Sequence, residues 1–161
     1  MVAELQGRFY FGDTIRGFCN RDPSAILGTL VANAHEDVEQ TQVAAWAVEI
    51  DLLQDALRRT RVEGQVFLEY SVPRLGKRID AVIVTAKVVF VVEFKVGATT
   101  FHQVARDQAW DYALDLKYFH ETSHQACLVP LLVATRANPT KLDFAQHIHD
   151  DNVVRPTDVG E

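Results

Sequence analysis

The stretch Arg78-Ile-Asp-Ala-Val-Ile-Val-Thr-Ala-Lys-Val-Val-Phe-Val-Val-Glu-Phe-Lys-Val96 decides how this chain is read. β-Branched residues dominate it, which predicts two strands, Ile79 to Thr85 and Val88 to Val96, with Ala86 and Lys87 at the turn between them. Three charged residues, Asp80, Glu93 and Lys95, interrupt this apolar hairpin. Side chains alternate along a strand, so Glu93 and Lys95 share one face while Val92, Phe94 and Val96 share the other. If Asp80 lies alongside on the neighbouring strand, two carboxylates and an ammonium meet in a buried place. Such a meeting costs free energy unless the groups satisfy one another or serve a purpose.

Working outward, Val66 to Val72 predicts a further strand, with Val66, Leu68 and Tyr70 on one face and Phe67, Glu69 and Ser71 on the other. The basic connection Pro73 to Arg78 joins it to the hairpin. Upstream, apolar residues at helical spacing (Val43, Trp46, Ala47, Ile50, Leu53, Ala56, Leu57) predict a helix over about Gln40 to Arg59. Glu49 lies at the edge of that stripe. Asp22-Pro23-Ser24 is a helix start, an acceptor followed by a proline suited to the first helical position. The helix it opens runs to about Asn33, with Ile26, Leu27, Leu30 and Val31 on one side.

Downstream, a long helix is expected from about Thr100 to His120, with Val104, Gln108, Tyr112 and Leu116 in one stripe beside Ala105, Ala109 and Ala113. The apolar run Cys127 to Ala134 reads as a buried strand in which Pro130 marks a free edge or a bulge. A short helix is expected over Leu142 to Ile148. The expected organisation is an irregular segment over 1–21, one domain over 22–149 and an acidic, structureless tail over 150–161. Strands joined by tight turns form an antiparallel meander, and the crossover helix returns the chain parallel to it. The fold class is therefore α/β, a mixed central sheet flanked by helices, with an extra N-terminal helix.

Composition narrows the function classes. A chain of 161 residues with 48% apolar content can bury a core, which excludes a wholly disordered protein. The net charge of −6 lacks the basic footprint of a sequence-independent nucleic-acid binder, although a local patch or a metal ion can offset it. No run of about 18 apolar residues predicts a membrane span. The first residues, Met1 to Gly7, lack the pattern of a secretory signal. Cys19 and Cys127, without metal-ligand spacing, read as buried free thiols of a cytoplasmic protein. His120, His124, His147 and His149 lack a matching third zinc ligand.

The chemistry gathers at the hairpin. Carboxylates from adjacent strands, Asp80 and Glu93, suit Mg²⁺ or Mn²⁺, which take one or two carboxylates together with waters and phosphate oxygens. Lys95 beside them can orient or deprotonate a water, or stabilise the phosphorus centre. The alternative is a plain Glu93–Lys95 salt bridge. Gln108 and Tyr112 add polar groups to a helix face that is otherwise apolar, where they bond either to a ligand or to nearby backbone. Arg74, Lys77 and Arg78 form the clustered positive charge nearest this place, either a phosphate-binding loop or a solvated turn.

Asp80, followed by Glu93-Phe94-Lys95 and then by Gln108-x-x-x-Tyr112, resembles the PD-(D/E)xK nuclease superfamily, and the Gln-x-x-x-Tyr helix resembles its RecB-like branch. The expected order from Gln40 to Ala134, αβββαβ, matches the restriction endonuclease-like core of that superfamily. Pro73 to Asp80, Val92 to Gly97 and Gln108 to Lys117 are most similar to the N-terminal nuclease-like region of bacterial proteins that carry a DUF2075 ATPase/helicase domain.

The resemblance covers roughly residues 20 to 136 and implies a Mg²⁺- or Mn²⁺-dependent hydrolase acting on DNA, with RNA as the alternative substrate. It implies Asp80 and Glu93 as metal ligands, Lys95 as the catalytic lysine, Gln108 and Tyr112 as auxiliary residues, and Glu49 as a further carboxylate from the preceding helix. Glu69 competes with Glu49 for that last role. Ile79 stands where the superfamily's name has proline, and the chain has no G-x-x-x-x-G-K-[ST] loop, so an ATPase/helicase half would be a partner module. A rival expectation is a catalytically silent nuclease fold that binds nucleic acid for such a partner.

Overall fold

The computed structural model describes residues 8–34, 37–72, 75–119, 126–138 and 152–160. Arg74, His120, His124, His147, His149 and the helix expected over Leu142 to Ile148 lie outside the described residues. Ten elements follow one another: β1 (Phe11–Thr14), α1 (Ile15–Asn20), α2 (Pro23–Asn33), α3 (Gln40–Arg58), β2 (Gly64–Val72), β3 (Lys77–Thr85), β4 (Val88–Lys95), α4 (Gln103–Phe119), β5 (Cys127–Ala134) and β6 (Thr157–Gly160). The strands form a six-stranded sheet in the order β1-β2-β3-β4-β5-β6. Pairing is antiparallel from β1 through β4 and parallel from β4 through β6. The protein is a mixed α/β fold, with the meander and the parallel return where the sequence places them.

Local chemistry accounts for the helix starts. The Asp22 carboxylate accepts the Ser24 N–H at 2.8 Å, and Pro23 opens α2. Thr14 Oγ1 accepts the Gly17 N–H at 3.0 Å and caps α1. Burial then assembles two cores, one on each face of the sheet. On the first, Phe18 of α1, Ile26 and Leu30 of α2, and Trp46, Ile50 and Leu53 of α3 pack on Val66, Leu68, Ala81, Ile83, Val92 and Phe94. On the second, Tyr112, Ala113 and Leu116 of α4 pack on Tyr70, Ile79, Val82, Val89, Val91 and Leu128.

Several local expectations are corrected. Within the 1–21 segment, residues 11–20 form β1 and α1 rather than irregular chain, because the β2 edge offers Phe11 a partner in Leu68. Within the 150–161 tail, Thr157 to Gly160 form β6, which pairs in parallel with Leu131 to Ala134. A bidentate contact from Arg106 of α4 to the Asp158 carboxylate, Nε to Oδ1 at 2.9 Å, fastens that strand. Consequently β5 is covered by β6 from Leu131 to Ala134, and the free edge expected of the strand is confined to the place of Pro130. Pro130 sits between the isolated Leu128–Val153 bridge and the first β5–β6 pair at Leu131, where the ladder is interrupted and no N–H is needed. Val31 and Val104, placed on apolar stripes by spacing, are exposed, at 42% and 78% respectively.

The correction with most consequence lies in β2. Alternation holds through Leu68 and then slips by one residue, so that Tyr70 and Val72 join Phe67 in the α4 core. β3 slips at the facing position, with Ile79 in the α4 core and Ala81 in the other. The residues between are Glu69 and Asp80, opposite each other between the pairs Leu68–Ala81 and Tyr70–Ile79. Glu69 has φ +53°, the left-handed region, inside a strand. One residue in that region turns the following side chain to the opposite face from the one alternation would give it.

Candidate functional site

Carboxylates collect around this reversal. The β3–β4 ladder runs from Val84–Val89 to Ala81–Val92, and the next residues on each strand are Asp80 and Glu93. There Asp80 Oδ2, a side-chain oxygen, accepts the Phe94 N–H at 2.7 Å. Lys95 Nζ donates to Glu93 Oε1 at 2.7 Å and, at 3.5 Å, reaches Gln108 Oε1. Gln108 Nε2 in turn donates to the Tyr112 hydroxyl at 2.8 Å. Asp80 and the sequence-expected set Glu93, Lys95, Gln108 and Tyr112 are thus joined through β4 and α4. Glu93 and Lys95 lie on the α4 side and Val92 and Phe94 on the other, as alternation requires.

From the opposite face α3 brings Glu49. It is buried, not a solvated surface carboxylate, and it lies one turn after Trp46. The Trp46 indole Nε1–H donates to Glu69 Oε1 at 2.6 Å. Glu69 is buried as well, and its backbone carbonyl accepts Arg78 Nη1 at 2.8 Å. A non-glycine residue at this φ costs of order 1–3 kcal/mol, which the surroundings offset.

The electrostatics follow from burying so many acids together. Burial, then the charges of Glu69 and Glu93, push the Glu49 carboxyl up to about 8, with Lys95 opposing. Burial, then Glu93 and Glu49, hold Asp80 well above the carboxylate range. Glu93 is raised by burial, while the hydrogen bond and charge of Lys95 work against that rise. Burial also raises Glu69, opposed by the Trp46 hydrogen bond and Arg78, and raises the Tyr112 hydroxyl, opposed by Gln108.

The Glu93–Lys95 bridge is solvated on its lysine side alone, where the Lys95 side chain is 38% exposed. Glu93 is 3% exposed, and its Oε2 is buried without a hydrogen-bond partner among the described residues. An anionic oxygen in that position is costly unless a proton or a cation meets it.

Among the described residues, no three acidic, histidine or cysteine side chains converge as a ready-made cation cage. The donor chemistry nevertheless fits a hard divalent ion. It comprises an orphaned carboxylate oxygen on Glu93 and the Asp80 side chain on the adjacent strand, with the buried carboxyl groups of Glu49 and Glu69 nearby.

The basic connection is only partly free. Lys77 is exposed, and its charge helps hold Glu93 down. Arg78 stacks over the Tyr10 ring at 4.0 Å and is committed to the Glu69 carbonyl.

Sequence reasoning left Glu69 as a competitor and missed Trp46 as its partner. The visible signal was a glutamate inside the apolar run Val66 to Val72. Compared with protein families, curated proteins and solved structures, the chain gives no match. Among the described residues no helix is long and apolar enough to cross a membrane.

Proposed function

We propose that this chain is a metal-dependent nuclease domain of the PD-(D/E)xK type, RecB-like branch, which hydrolyses phosphodiester bonds in DNA, with RNA as the alternative. The observation that carries the reading is the buried Glu93 carboxylate. One of its oxygens is held by Lys95 and the other is unpartnered, beside Asp80 at the end of the β3–β4 ladder. The element order α3-β2-β3-β4-α4-β5 supports it further.

Asp80 and Glu93 would hold Mg²⁺ or Mn²⁺. Such an ion, when bound, supplies Lewis-acid activation of water and offsets charge on a phosphate. Lys95 is positioned by Glu93 and Gln108 to orient a water or to donate to anionic phosphate oxygens. Gln108 is itself fixed by Tyr112. Glu49 retains a proton near neutrality, a group suited to receiving or returning one. Lys77, with Arg74 of the same connection, would meet the phosphate backbone.

Cleavage of DNA with Mg²⁺ or Mn²⁺ is expected from the wild type and is abolished in Asp80→Ala and Lys95→Ala, while circular dichroism shows the fold retained. Undiminished cleavage by both variants would sink the nuclease reading.

One observation favours a second reading, a silent nuclease fold that binds nucleic acid for an ATPase/helicase partner. Asp80 Oδ2 and Glu93 Oε1 already have protein partners. Calorimetry with Mn²⁺ separates the two, because the silent module shows no binding that depends on the Glu93 carboxylate and is lost in Glu93→Gln.

A further inference from the structure

Glu69 occupies a position whose backbone does not call for glutamate. Its φ of +53° suits glycine or asparagine, and a long side chain gains nothing from the conformation. If the face reversal alone mattered, glycine would serve it without strain. The chain instead carries a carboxylate there and surrounds it. Trp46 donates to the side chain, Arg78 bonds its carbonyl, and the whole residue is buried.

Trp46 and the residue facing Glu69 both adjoin the site. Trp46 precedes Glu49 by three residues on α3, and Asp80 stands opposite Glu69 on β3. Glu69 therefore lies between the helix that brings one carboxylate and the strand that brings another. A backbone outlier that retains a costly side chain points to a role for the side chain rather than for the shape.

Resting on the nuclease reading above, we infer that Glu69 is a positioning residue of the carboxylate group. Its carboxyl group, held by the Trp46 indole while Arg78 bonds the backbone carbonyl, strengthens divalent-cation binding at Asp80 and Glu93. Glu69 acts from behind the ligands, because its Oε1 is turned to the indole N–H of Trp46. The mutual influence of Glu69, Glu49 and Asp80 on one another's protonation agrees with this placement.

The test is Mn²⁺ binding by calorimetry on the intact chain, with circular dichroism as a check of folding. Glu69→Gln keeps an acceptor for Trp46 and removes the carboxyl group, whereas Glu69→Gly keeps the backbone conformation and removes the side chain. Both are expected to bind Mn²⁺ about 10- to 100-fold more weakly at unchanged stoichiometry, the size seen when an outer-shell partner is lost. In a Trp110→Phe background, Mg²⁺ is expected to shift the Trp46 emission when Glu69 is present and to leave it unmoved in Glu69→Gln. A purely structural glutamate would leave the affinity of the Gln variant unchanged. Wild-type affinity in both variants overturns the positioning role while the nuclease reading stands. Failure of the wild type to bind Mn²⁺ overturns both.

Discussion

At Glu49 the surroundings reverse the ordinary behaviour of a carboxyl group. It faces Glu69 on β2, Asp80 on β3, and Glu93 and Lys95 on β4, and its pKa moves from 4.5 to about 8. Between those values the folded chain holds a proton that the unfolded chain has released. The stabilisation is therefore complete below 4.5 and is lost as pH rises through about 8. Thermal melting in chelator is expected to fall across this window, and Glu49→Gln is expected to flatten part of the fall. A wild-type melting temperature that rises across the same window would contradict the burial of this carboxyl. The sequence placed Glu49 at the edge of an apolar stripe, which left its burial open. Only the packing of α3 on the sheet turned it inward, next to Trp46 and Ile50.

At the scale of elements, α4 shows how spacing both guides and misleads. Ala105, Ala109 and Ala113 are buried between the helix and the sheet, and their small side chains let the two approach closely. Ala109→Leu is expected to destabilise by about 1–3 kcal/mol, read from urea unfolding, because the interface has no room for a larger side chain. Val104→Ala is expected to stay within about 0.5 kcal/mol, since that side chain is 78% exposed. Each step of four residues advances a helix by about 40° beyond a full turn, so a stripe running from Val104 to Leu116 drifts out of the interface at one end. Gln108 and Tyr112 lie nearer the interface; they were legible as polar groups in an apolar face, whereas their bond to each other, in place of a ligand or backbone partner, was not. β1 and β6 were not legible. Each has four residues without clear alternation, and each becomes a strand only because a neighbour presents an unpaired edge.

For the whole molecule, the net charge of −6 opposes a polyanion. Binding of a fluorescent oligonucleotide, followed by anisotropy, is therefore expected to require Mg²⁺ or Mn²⁺ and to vanish in chelator at physiological salt. Equal affinity with and without divalent ion would favour the silent module, which binds through Lys77 and its neighbours alone.

The order α3-β2-β3-β4-α4-β5, the antiparallel hairpin and the common face of Glu93 and Lys95 follow from the sequence by itself. They rest on periodicity, turn residues and β-branching, which act over a few neighbouring residues. Tertiary structure decided the rest. The slip of alternation at Glu69 and Asp80, the inward turn of Glu49 and the pairing of β1 and β6 depend on contacts between distant segments. The residue at φ +53° is bonded by Trp46 from helix α3 and Arg78 from the next strand, so no local pattern could have announced it.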